Sequence, residues 1–68
     1  MKSYLDYKDI IKILGVSKNN AYEIIENLKV ESGWGDTFEG KNIRGKIIPS
    51  KVFVKYFPSH RKNVKEIT

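Results

Sequence analysis

Residues 5–28 read LDYKDIIKILGVSKNNAYEIIENL, and this stretch determines the fold. Its apolar residues recur with the period of an α-helix on both sides of a Gly-Val-Ser sequence at residues 15–17. The pattern predicts a first helix over residues 7–14 and a second helix that begins at residue 18. A connection of three residues leaves so little slack that the two helices must cross steeply.

Local signals mark where each predicted helix begins and ends. Asp6 can cap the free amides of helix 1, and Gly15 adopts without strain the left-handed conformation that ends a helix. Ser17 is the corresponding cap of helix 2, which we expect to close at Ser32 or Gly33. These caps predict a helix-turn-helix, a motif that offers its second helix to the major groove of DNA.

The apolar residues of both helices predict the core. Leu5 with Ile10, and Val16 with Ala21, occupy the two positions of a hydrophobic staple at a helix start. The apolar stripes that face the core comprise Ile10, Ile11, Ile13 and Leu14 in helix 1, and Ala21, Ile24, Ile25 and Leu28 in helix 2.

Length and composition limit the chain to one small domain. It has 68 residues, of which 40% are hydrophobic and 12% aromatic, enough for a globular core. The absence of cysteine excludes disulfides and thiolate metal sites and agrees with a reducing compartment. No apolar run has the length of a signal peptide or a transmembrane helix. We therefore expect a soluble cytoplasmic protein.

The net charge of +5 favours an acidic partner, and its distribution is uneven. Residues 1–40 hold five basic and seven acidic residues, whereas residues 41–68 hold eight basic residues and Glu66 as their one acid. Most of the cationic surface is therefore expected after the helix-turn-helix and not within it.

Residues 33–48 change character, because four glycines interrupt any helical pattern and strand-forming residues lie between them. The pattern predicts a twisted β-hairpin. One strand is expected near residues 36–38 and the other near 46–48, with the tip within residues 39–45.

The chain after the hairpin predicts a third helix over residues 51–57, with Ser50 as its cap and Pro58 as its stop. The sequence KVFVKYF has enough β-branched and aromatic residues to form a strand instead. We place the domain at residues 1–58. Residues 59–68 are expected to form a basic C-terminal tail that frays or makes a weak last turn.

Together the elements predict an α+β fold that is mainly α, a winged helix-turn-helix with two N-terminal helices, a hairpin wing and a short third helix. The chain resembles the small winged domains of phage and transposon excisionases and of MerR-type regulators. The resemblance is carried by ILGVS at 13–17, YEII at 22–25 and GKNIRGKIIPSKVFVKYF at 40–57, and it covers residues 4–57. It implies a small architectural or regulatory protein of a phage or mobile element that binds double-stranded DNA.

The resemblance places the start of helix 2 in the major groove. There Lys18 can contact phosphate or guanine, and the amide of Asn19 matches adenine. Ser17 lies beside amides that can hold a phosphate. Tyr22 either reaches a phosphate through its hydroxyl or covers the helix pair with its ring.

The basic hairpin is expected to contact the DNA backbone or the minor groove. Its candidate residues are Lys41, Asn42, Arg44 and Lys46. Arg44 is the strongest of these, because narrow minor grooves attract arginine.

Two acidic residues depart from the basic second helix of many relatives. Glu23 and Glu26 lie on the exposed face, where a carboxylate repels phosphate, although a glutamate can accept a hydrogen bond from cytosine. Either the helix is angled to keep them off the backbone, or binding depends more on the wing. Trp34 and Phe38 are interpreted as core or hinge packing, with base stacking as the alternative.

No arrangement of residues predicts catalysis, so the chain is not expected to be an enzyme or to need a metal or other cofactor. The expected partner is double-stranded DNA, with a recombinase or neighbouring copies of the chain as further partners; neither a membrane nor a small-molecule substrate is expected. Two alternatives remain: a protein-binding adaptor for a replication or recombination protein, and a binder of single-stranded nucleic acid.

Overall fold

Five α-helices and a two-stranded antiparallel sheet make up residues 2–67, the part of the chain that this computed structural model describes. The order is β1 (Tyr4–Asp6), α1 (Tyr7–Leu14), α2 (Lys18–Ser32), α3 (Phe38–Asn42), β2 (Ile47–Pro49), α4 (Ser50–Tyr56) and α5 (Arg61–Ile67), with 3-10 turns at Trp34–Asp36 and Pro58–His60. The predicted class, α+β and mainly α, is confirmed.

The limits predicted for α1 and α2 are confirmed, because each end is fixed by its own residues. The Asp6 carboxylate accepts from the Asp9 amide at 3.0 Å, and the Asp9 carboxylate accepts from the Asp6 amide at 3.1 Å. Ser17 Oγ accepts from the amide three residues further on. Gly15 and Gly33 end the two helices with φ of 68° and 75°.

Residues 33–48 do not form a β-hairpin, so the predictions of a hairpin and of a hairpin wing are wrong. Its first expected strand lies in helical turns, because the Thr37 hydroxyl accepts from the Gly40 amide at 3.0 Å and caps α3. The second expected strand does exist as β2, but it pairs with β1, with Leu5 opposite Ile48. Both of these side chains are fully buried, so burial selects the distant partner.

The third helix is confirmed as α4, which rejects the strand alternative, but Ser50 is not its cap. Pro49 holds the cap position and makes no side-chain bond. Ser50 is buried; its hydroxyl donates to the Lys2 carbonyl, and its amide donates to the Ser3 carbonyl at 2.9 Å. Ser50 therefore fastens the N-terminal segment to the start of α4.

The core lies where the helices meet the buried side of the sheet. Its fully buried large side chains are Leu5, Ile10, Ile25, Ile48, Phe53 and Val64. Val64 belongs to α5, so residues 61–67 of the basic tail predicted for residues 59–68 form a helix that packs on α1 and α4, while residue 68 lies outside the described residues.

Candidate nucleic-acid interface

Two tyrosines and two lysines meet at the start of α2. The rings of Tyr7 and Tyr22 lie 4.9 Å apart between centroids. Lys18 Nζ lies 5.5 Å from the Tyr7 centroid and 5.8 Å from that of Tyr22. Lys46, from the loop before β2, brings its Nζ to 5.9 Å from the Tyr22 centroid. We call these four residues the tyrosine–lysine cluster.

Glu26 holds Lys46 beside this cluster. Its carboxylate lies 2.9 Å from Lys46 Nζ and 3.8 Å from Lys29 Nζ. The hydrogen bond from Lys46 lowers the pKa of Glu26, against a smaller opposing effect of burial. The charge that the sequence placed on an exposed helix face is therefore compensated by two lysines.

The loop of residues 43–46 lies along α2. Lys29 Nζ donates to the Gly45 carbonyl at 3.2 Å, while Gly45 itself adopts φ of 110°. Arg44 is exposed and makes no ion pair within residues 2–67. The loop thus presents an exposed guanidinium two positions before Lys46.

The first turn of α2 presents the other residues predicted for the major groove. Asn19 is exposed and free to turn toward a ligand. The Ser17 hydroxyl accepts a hydrogen bond from the Asn20 amide at 3.2 Å and so caps the helix. It therefore lies beside the other amides of the first turn. Lys18, Tyr22 and Lys46 are brought together, whereas the sequence placed Lys46 on a separate hairpin.

Lys41 and Asn42 are not brought into the cluster. Both lie on α3, where the Asn42 amide donates to the Phe38 carbonyl at 2.7 Å. Helix α3 is also fastened to the N-terminal strand, since the Tyr4 hydroxyl donates to Glu39 at 2.9 Å. Within residues 2–67 no hydrogen bond or ion pair joins either residue to the tyrosine–lysine cluster.

The remaining aromatic residues divide between core and surface. Trp34 is 6% exposed and lies 6.2 Å from the Tyr4 ring, which confirms its packing role. Phe38 is 82% exposed, so the interpretation as core packing is wrong for that residue. Glu23 is exposed and has no ion pair among the described residues.

A surface pocket of about 320 Å³ lies between the N-terminal segment, Glu39 and the start of α4. Most of its polar side chains already serve the fold: Tyr4 donates to Glu39, Ser50 to the Lys2 carbonyl and Lys2 to Asp9. The bond to Glu39 raises the pKa of the Tyr4 hydroxyl, which keeps it protonated. This arrangement holds the segment in place and offers no free nucleophile among these groups.

Tyr7 is the cluster residue that sequence reasoning missed. It is the first residue of α1, fifteen positions before Tyr22, and its ring meets Tyr22 through the packing of α1 on α2. The local sequence carries no signal of this contact. The bond of Glu26 to Lys46 was missed for the same reason, because Lys46 lies twenty positions away.

Comparisons with protein-family models, curated proteins and solved structures return no match to this chain. Every helix of residues 2–67 falls short of the length and apolar character needed to cross a bilayer. Residues 2–67 contain no group of three or more histidine, cysteine, aspartate or glutamate side chains placed to hold a metal ion.

Proposed function

We propose that the protein binds double-stranded DNA through the tyrosine–lysine cluster and the loop of residues 43–46. The observation that carries the proposal is the convergence of Lys18 and Lys46 on the Tyr22 ring at the start of α2. In a helix-turn-helix this end of the second helix is the part that contacts base edges. Ammonium groups and tyrosine hydroxyls are common contacts to phosphate.

In this proposal the first turn of α2 enters the major groove, where Asn19 hydrogen-bonds a base edge and Ser17 lies beside a phosphate. The loop takes the place of a hairpin wing, and Arg44 contacts the backbone or the minor groove. Glu26 is held by Lys29 and Lys46, so its charge is offset before phosphate approaches.

The biological role belongs to the same proposal. A helix-turn-helix of this size fits a regulatory or architectural DNA-binding protein of a phage or mobile element, acting in the cytoplasm. A recombinase or neighbouring copies on the DNA are the proposed protein partners.

Titration of labelled duplex by fluorescence anisotropy tests the proposal. The double variant Arg44→Ala/Lys46→Ala is expected to weaken binding to all duplexes. For this variant the slope of log affinity against log salt concentration is expected to be shallower by about 0.9 for each phosphate that the variant no longer neutralises. The matched control is Lys8→Ala/Lys12→Ala, two exposed lysines of α1 without ion pairs in the described chain.

An equal weakening in the two variants would contradict the proposed interface, since net charge alone would then explain the effect. Parallel titrations with single-stranded DNA and RNA distinguish the single-strand alternative. Absence of binding to every nucleic acid at low salt would favour the adaptor alternative. Two exposed apolar side chains are available to that alternative: Val30, 78% exposed, and Phe38.

A further inference from the structure

A second cationic surface lies on the C-terminal helices. It consists of Lys51 and Lys55 on α4 and Arg61, Lys62 and Lys65 on α5, which we call the α4–α5 surface. All five residues are exposed, and none forms an ion pair within residues 2–67. Cations that the fold does not use are available to an external anion.

The cationic side chains of both helices are exposed to solvent. Helix α4 buries Phe53 and helix α5 buries Val64. Lys51 and Lys55 are four residues apart and lie on the side of α4 away from Phe53, because a helix repeats every 3.6 residues. On α5 the same repeat places Lys62 on the side away from Val64.

Helix α4 ends beside the last turn of α2. The Tyr56 hydroxyl, at the end of α4, donates to the Glu31 carbonyl in the last turn of α2 at 3.1 Å. The start of α4 is fastened to Ser3, next to Tyr4, whose ring contacts Trp34 just beyond α2. The end of α4 is therefore anchored at the C-terminal end of α2, and its start is anchored to the N-terminal segment.

The tyrosine–lysine cluster lies at the opposite end of the same helix. The rise of an α-helix places Lys18 and Glu31 about 20 Å apart along the axis of α2. The longest dimension of the molecule is 29 Å. The end of α4 therefore lies about 20 Å along α2 from the tyrosine–lysine cluster.

Acidic residues lie between the two surfaces. Glu23 and Glu31 on α2 and Asp36 just after it are exposed and make no ion pair in the described part of the chain. A duplex laid along α2 to reach both surfaces would bring its phosphates against these carboxylates. Like charges repel, so this path is unfavourable for one duplex.

The composition of the α4–α5 surface favours nucleic acid over protein as its partner. Four of its five cations are lysines, and lysine is depleted in protein interfaces, which are anchored by buried aromatic or apolar residues. The most exposed large apolar side chains, Val30 and Phe38, lie on α2 and α3, whereas Tyr56 on α4 is 39% exposed and its hydroxyl is bonded to the Glu31 carbonyl. A surface composed mainly of lysine and arginine is typical of phosphate contacts.

We propose that the α4–α5 surface binds the phosphate backbone of a second DNA duplex, so that one protein molecule bridges two duplexes. The inference rests on the proposed function, in which the tyrosine–lysine cluster holds the first duplex. The second contact reads no sequence, because it is made to phosphates alone.

A capture assay tests the bridge. One duplex is fixed to beads, the protein is added at low salt, and capture of a second, labelled duplex is measured. Lys51→Ala/Lys55→Ala is expected to bind a single duplex within about twofold of wild type but to capture about tenfold less of the second. Circular dichroism confirms that the variants are folded.

The control is Lys8→Ala/Lys12→Ala, which removes the same charge at the same spacing from α1. It is expected to capture the second duplex as wild type does. An equal decrease in the control would overturn the inference, because net charge alone would then determine capture. Capture that persists in Lys51→Ala/Lys55→Ala would also overturn it, since two associated copies would then form the bridge.

Two further results separate the inference from the proposed function. If wild type binds one duplex but captures no second one, or if Lys51→Ala/Lys55→Ala weakens single-duplex binding with a flatter salt dependence, bridging is overturned and DNA binding stands. If Arg44→Ala/Lys46→Ala binds a single duplex as wild type does, the proposed interface fails instead. Binding of polyglutamate that is lost in Lys51→Ala/Lys55→Ala, with no capture of duplex by wild type, would assign the α4–α5 surface to an acidic protein and overturn the bridge.

Discussion

Helices α1 and α2 begin with bonds within their own turns, whereas residues 34–50 combine local caps with bonds to residues far away in the chain. Asp6 and Asp9 close the start of α1, and Ser17 closes the start of α2. By contrast, Glu39 is bonded to Tyr4 across thirty-five positions. The first region needs little beyond its own sequence, and the second depends on the N-terminal segment being in place.

The largest expected effect compares the two serines at helix starts. Ser17→Asp is expected to change stability by less than about 0.5 kcal/mol, because aspartate caps a helix as well as serine does. Ser50→Asp is expected to cost about 3 kcal/mol, since it places a carboxylate in a buried position against the Lys2 carbonyl. Urea unfolding followed by the fluorescence of Trp34 measures both.

If Ser50 acted as a simple helix cap, the two aspartate variants would be equally stable. That result would contradict the anchoring of α4 by the N-terminal segment.

A smaller effect is expected from a methyl group added where α3 meets the preceding turn. A Cβ at position 40 would collide with the Trp34 carbonyl and would lie 2.9 Å from the Gly35 Cα. Gly40→Ala is therefore expected to cost about 2 kcal/mol. At position 35 the nearest atom would be 3.4 Å away, so Gly35→Ala is the control and is expected to cost under about 1 kcal/mol.

Near-ultraviolet circular dichroism of Trp34 follows this packing during the same titrations. Equal stability of the two alanine variants would mean that α3 can move off the turn at no cost, and that the second region is not held by close packing.

The next effect concerns the ion pair that joins the N-terminal segment to α1. Lys2 Nζ lies 2.8 Å from the Asp9 carboxylate. Burial by itself raises the pKa of Asp9, but the bonds from Lys2 and the Asp6 amide outweigh it and lower the pKa. The pKa of Lys2 is raised by the same pair. Asp9→Asn is expected to cost about 1–2 kcal/mol at neutral pH.

The sign of the pH dependence follows from the lowered pKa. The stabilisation by Asp9 is fully present above its unfolded pKa of about 3.9 and is lost as the pH falls through the lower folded value. Urea unfolding at stepwise lower pH should therefore bring wild type and Asp9→Asn together. A constant difference between them at acid pH would contradict the ion pair.

The smallest effect is expected at the pair that attaches the loop of residues 43–46 to α2. Glu26 is half-exposed, so Glu26→Gln is expected to cost less than about 1 kcal/mol. Amide exchange at Gly45 and Lys46 should become faster, because Lys46 loses its partner. A double-mutant cycle with Lys46→Gln measures the coupling, and additive effects would indicate that the pair contributes nothing to the loop.

The two regions also differ in how much of their structure could be predicted from the sequence. The limits of α1 and α2 were predicted because caps, glycine ends and apolar stripes act within a few residues. The hairpin was predicted wrongly because Ile47–Pro49 forms its backbone hydrogen bonds with Tyr4–Asp6. A local pattern indicates a strand but does not determine which other strand it pairs with. The candidate site was predicted in part: Lys18, Tyr22 and Lys46 meet, while Lys41 and Asn42 lie apart on α3.

Local sequence was sufficient for helices α1 and α2 and for the excess of cations after residue 40, because caps, periodicity and charge depend on near neighbours and on composition. The other features arise only in the folded chain. Folding paired β1 with β2, brought Tyr7 and Lys46 to Tyr22, and placed the end of α4 beside the last turn of α2. These contacts join residues that are distant in the chain, and burial of Leu5, Ile48, Phe53 and Val64 in one core selects them.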